Sequence, residues 1–98
     1  ASAAVFRAII DLKQRIEREV LPRFSTRRQD NAQNLVRQLY GQPVIDIKWA
    51  TQTLDVSTNT AAALINDLVS YGVLVEMTEQ RRNRLFVFDE YLQLFQSK

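Results

Sequence analysis

Apolar positions along most of the chain recur at helical spacing, and extended runs are confined to a short piece at 44–45 and to the last third. Val5, Phe6, Ile9, Ile10, Leu12, Ile16 and Val20 share one broad face of a helix predicted from about Ser2 to Leu21. The opposite face carries Arg7, Asp11, Arg15 and Glu19 at four-residue steps, alternating in sign so that they can pair along the helix surface. Pro22 ends or bends this helix, because its ring cannot continue the hydrogen-bond ladder. Thr26 followed by Gln29 fits a capping box opening a second helix, with Ala32, Leu35, Val36, Leu39 and Tyr40 on its apolar face. Gly41 is expected to stop that helix, with Pro43 shortly after.

The pattern then shortens. Val44 and Ile45 read as an extended piece before Asp46, an N-cap for a helix with Ile47, Ala50 and Leu54 on one side. Asp55 and Val56 make a turn, and Ser57 caps a longer helix carrying Ala61, Leu64, Ile65, Leu68 and Val69 as far as Gly72. Two helices joined by so short a turn have helix-turn-helix organisation. Residues 73–77 and 84–88 are strand-like, and the polar segment 78–83 joins them as a hairpin, the wing. Asp89 is placed to cap a last short helix through Leu92 and Phe95. The expected fold is mainly α with a small β-hairpin. A helical lead-in of two helices over residues 1–42 precedes a winged helix-turn-helix with a short C-terminal helix over residues 43–98.

Composition narrows the chemistry. The 98 residues make one small domain of ordinary globular composition, 46% hydrophobic and 24% charged. With neither Cys nor His, disulfides, thiolate chemistry, imidazole-based metal sites and a base titrating near neutrality are excluded. No apolar run approaches the roughly 18 residues of a membrane span, so a cytoplasmic protein without a membrane role is expected. The first residue is Ala1 rather than Met, which suggests a fragment or processed chain. The net charge of +2 is unevenly distributed. Residues 1–40 carry eight basic against four acidic side chains, whereas residues 41–98 carry five against seven.

The runs Asp55-Val56-Ser57, Thr60-Ala61, Leu64-Ile65, Asp67-Leu68-Val69 and Gly72-Val73-Leu74, with Arg82-Asn83-Arg84-Leu85-Phe86-Val87-Phe88-Asp89-Glu90-Tyr91-Leu92, resemble the carboxy-terminal domain of Fic-family proteins. These are AMP transferases in which a helical catalytic domain is often followed by a winged helix. The similarity spans roughly Phe24 to Leu94, and its strand running into Asp-Glu-Tyr-Leu is the more specific part. The resemblance implies a regulatory module of an AMPylation enzyme, with the parent's catalytic domain as a partner. The family's catalytic His and glycine-rich anion loop are missing: there is no His, and the only glycines are Gly41 and Gly72. No catalytic, cofactor-binding or metal-binding residue is therefore expected here, and this piece is not expected to be an enzyme.

Two functions remain. As a duplex DNA-binding module, the chain would read bases with Asn59 and Asn66. It would touch phosphate with Lys48, Ser57, Thr58 and the wing arginines Arg81, Arg82 and Arg84. Against this, the helix expected to enter the groove has no Lys or Arg, and Asp67 would face a polyanion unpaired. As a protein-interaction or homodimerisation module, it would use Trp49 as an anchor, unless Trp49 packs on the amino-terminal helices of its own chain. The small residues Ala62, Ala63 and Ser70 would form a face for close helix approach. Tyr71 and Met77 are expected in the core or at its edge.

Overall fold

The computed structural model describes residues 2–77 and 84–96. Helix α1 (Ala3–Arg15) runs into a π-helical turn (Ile16–Val20) and a short 3-10 segment (Leu21–Arg23) before α2 (Thr26–Leu39). Strand β1 (Val44–Ile45), helices α3 (Ile47–Leu54) and α4 (Thr58–Ser70), strands β2 (Val75–Glu76) and β3 (Phe86–Val87) and helix α5 (Asp89–Gln93) follow. The fold is mainly helical, as expected from the periodicity, but the small sheet has three strands rather than two. The extended piece at Val44 pairs with β3 in the order β1-β3-β2, antiparallel throughout, with Val44 opposite Val87 and Val75 also opposite Val87. This element and strand order is compatible with a winged helix. The loop segment 78–83 lies outside the described residues.

Local chemistry explains most boundaries. Ser2 caps α1 by accepting the Val5 N–H. The helix does not stop at Arg15. It widens, with the Leu21 N–H reaching back to the Ile16 carbonyl. Five residues apart, Ile16 and Leu21 would diverge by about 140° on a regular α-helix; the wider turn brings both into the core, where each is buried. Ser25 rather than Thr26 occupies the N-cap position of α2, and neither its side chain nor a capping box closes the helix start. Instead the Gln29 amide donates to the Phe24 carbonyl at 3.1 Å, tying the helix to the segment before it. Asp89 likewise opens α5 as its first residue, not as its cap, and accepts from the Gln93 amide at 3.3 Å.

The two glycines differ. Gly72 has φ of +82° and ends α4: its N–H bonds Val69 O, and the Val73 N–H bonds Leu68 O. These two bonds are a Schellman arrangement, which needs the left-handed conformation. Gly41 does not have a positive φ, contrary to the expectation of a glycine-type stop. Its N–H and that of Gln42 both reach Gln38 O, a turn open to other residues.

A single hydrophobic core joins Leu12, Ile16, Val20 and Phe24 to Leu35, Leu39, Ala50, Leu64, Ile65, Leu68, Phe86 and Phe88. The lead-in helices and the C-terminal elements thus share one interior. Tyr40, Phe88, Tyr91 and Phe95 form a chain of ring contacts with centroids 5.2–5.3 Å apart at one end of it. The amino-terminal half of α1 departs from expectation: Phe6 is 64% exposed and Ile10 40% exposed, because only the Leu12–Ile16 side of the helix meets the body. Met77, expected near the core, is exposed on the sheet edge, whereas Tyr71 is half-buried against Phe24.

Candidate nucleic-acid interface

The turn from α3 into α4 is built by two caps and one residue in the left-handed region. Asp46 accepts the Trp49 N–H at 2.7 Å and starts α3. Asp55 ends α3 in the left-handed region at φ 55°, and the Val56 N–H returns to Thr51 O. Asp tolerates this conformation better than most side chains, and the reversal it makes lets α4 begin shortly after, behind the Ser57 cap. Ser57 caps α4 by accepting the Thr60 N–H at 3.1 Å, and its hydroxyl also donates to the Thr60 hydroxyl at 3.0 Å. The Ser57 hydroxyl proton is thus directed at Thr60, although the side chain remains exposed.

Helix α4 buries Ala61, Leu64, Ile65 and Leu68, and these positions orient the rest of it. Asn59, Asn66 and Ser70 stand exposed along the outer face, with Ala62 and Ala63 half-buried on either side of it. Thr58 is exposed on the flank nearer α3. Here an open groove of about 410 Å³ runs between the amino-terminal turns of α3 and α4 and the base of the hairpin. Asp46, Lys48, Gln52, Thr58 and Arg84 are among its lining residues. Lys48 is exposed there.

Arg84 is held in place by Glu76. Its Nε donates at 2.7 Å to one carboxylate oxygen and its Nη2 at 2.9 Å to the other, a bidentate pair across the hairpin. The hydrogen bonds from Arg84 hold the Glu76 carboxyl below its ordinary range, and the same bonds raise the Arg84 pKa. The guanidinium also lies 5.3 Å from the centroid of the Phe86 ring. Its charge is thus partly offset before any ligand arrives. Arg81 and Arg82 lie outside the described residues.

On the other flank of α4 the structure adds an element that the sequence alone did not disclose. Asp67, expected to stand unpaired, is matched by Arg28 of α2 at 3.3 Å. A second open groove of about 430 Å³ separates α2 from α4, lined by Arg27, Arg28, Asn31, Asn59, Thr60 and Ala63. The adjacent pair Arg27-Arg28 and the positive excess of the first forty residues were the available signals; nothing in the sequence placed them beside α4. Trp49 is half-buried and packs against the core, so part of its ring is already occupied. Among the described residues there is no cluster of acidic side chains able to hold a metal ion, and no helix is long and apolar enough to cross a membrane.

Comparison of the chain with protein-family models, curated proteins and solved structures gives no match.

Proposed function

We propose that the chain is a duplex DNA-binding module in which α4 enters the major groove. The observation that carries this reading is the exposed start of α4. The side chains of Thr58 and Asn59 make no hydrogen bond among the described residues, and Thr58 shares a groove with Lys48 at the first turn of α3. A helix about 10–12 Å across fills a major groove of similar width, so side chains on its outer face meet base edges. Asn59 and Asn66 have the donor and acceptor pair that matches adenine, and Lys48 supplies a phosphate contact. With no Lys or Arg on α4 itself, binding rests on few phosphate contacts and is weak and salt-sensitive.

Fluorescence anisotropy with a labelled 20-base-pair duplex tests this at low salt. Saturable binding that weakens as salt rises, and weakens further in Lys48→Ala, supports it; a flat titration rules it out. The resemblance to Fic carboxy-terminal domains adds a context in which the module regulates an attached AMP transferase domain. A second reading, a protein-interaction or homodimer module that does not bind DNA, draws on the exposed Phe6 and Ile10 of α1. Concentration-dependent mass in light scattering, lost in Phe6→Ser, would favour it.

A further inference from the structure

A helix lying in a major groove has a phosphate backbone on each side of it, and the proposal above provides a cation on one side only. The opposite flank of α4 is the side of Thr60, Ala63 and Asp67, and it faces α2. The groove there differs in chemistry from the first. Its lining residues Arg27, Arg28, Asn31, Asn59, Thr60 and Ala63 include two guanidinium groups and no carboxylate, whereas Asp46 lines the first groove. Ala63 keeps the floor low, so a bulky anionic group can approach both helices.

The two arginines are not equivalent. Arg28 is half-buried and directed at Asp67, and its other terminal nitrogen, Nη2, is buried without a hydrogen-bond partner among the described residues. Its position cancels the one acidic charge on the outer half of α4, which would otherwise repel a polyanion. Arg27 is exposed at the groove with no ion pair among the described residues, and Asn31 lies one helical turn further along α2. We infer that α2 forms a second phosphate-contacting flank for the same duplex, with Arg27 and Asn31 as the contacting side chains and Arg28 as the residue that neutralises Asp67. The module then straddles the groove, with Lys48 touching one strand's backbone and Arg27 the other's. The lead-in helix is part of the DNA-binding surface on this account and not merely a connector.

The inference rests on the duplex-binding reading, and one experiment separates the two. The 98-residue chain and its Arg27→Ala, Arg27→Lys and Arg37→Ala variants are titrated against the 20-base-pair duplex at several salt concentrations. Arg37 is an exposed cation of the same helix that lines a different groove, with Lys13 and Glu17, so its loss changes net charge equally. The expected result is a loss of affinity of about three- to tenfold in Arg27→Ala and a salt slope reduced by about 0.9 in magnitude. Arg27→Lys should retain most of the slope and Arg37→Ala nearly all of it. Equal effects of Arg27→Ala and Arg37→Ala, or no effect of either on a wild-type chain that binds, overturn the second flank alone. Absence of wild-type binding overturns both proposals.

Discussion

The substitution Tyr40→Phe isolates one hydroxyl in the aromatic end of the core. The ring lies 5.3 Å from Phe88 and 5.2 Å from Tyr91, contacts that a phenyl ring retains. The Tyr40 hydroxyl is buried and has no hydrogen-bond partner among the described residues. Burial, reinforced by the nearby Glu17 carboxylate, pushes its pKa from 10.0 up to about 12. The folded state therefore favours the neutral phenol. Stability from this group is intact below pH 10 and is lost as pH rises from 10 towards 12. Two pKa units set a ceiling of about 2–3 kcal/mol at the end of that window, and because the side chain is only half-buried, solvent screening brings the expected loss down to about 1 kcal/mol. A phenyl ring cannot ionise, so the variant should not show this part of the alkaline loss. At neutral pH it should be as stable as wild type or about 1 kcal/mol more stable, since an unpaired buried hydroxyl is removed. Urea unfolding of both proteins from neutral pH to about 1.5 units above the ordinary tyrosine pKa of ~10 measures the difference directly, because the other tyrosines and the basic residues are common to both. Parallel loss of stability in the two proteins across that range would refute the burial of this hydroxyl.

Further outcomes follow from the backbone and the caps. Gly72→Ala should destabilise the chain by about 1 kcal/mol, because φ of +82° is strained for any side chain. Gly41→Ala should be neutral or slightly stabilising, since a Cβ there meets only Gln38 O at 3.8 Å; thermal unfolding of the pair checks both, and equal effects contradict the assignment. Asp46→Ala should cost about 1 kcal/mol through loss of the Trp49 N–H partner, and Asp46→Asn much less. Denaturation curves in which the Ala and Asn variants coincide would remove the capping role.

The helices were legible because their apolar faces recur at 3.6-residue spacing and two of their starts carry Asp46 and Ser57. Gly72 was legible for the same local reason. Other boundaries were not. Whether Ser25 or Thr26 caps α2 depends on where Pro22 and the 3-10 turn deliver the chain, and both residues are acceptable caps. The third strand is only two residues long, and its partner β3 lies some forty residues further on, too short and too distant a pairing for periodicity to reveal. Phe6 and Ile10 satisfy the helical pattern, but pattern alone cannot tell which part of a broad apolar face has a neighbour. The same limit hid the second flank of the candidate interface. The acidity of Asp67 was plain in the sequence, while its neutralisation by Arg28 is a contact between residues far apart along the chain.

Whether the outer face of α4 and its flanks form the proposed binding surface is tested most directly by amide chemical-shift mapping. The isotope-labelled chain is observed while unlabelled duplex is added at low salt. Progressive shifts are predicted at Lys48, Thr58, Asn59 and Asn66, with little change at Phe6, Ile10 or Arg37. Shifts confined to the first two turns of α1, or a spectrum unmoved by excess duplex, would contradict that surface.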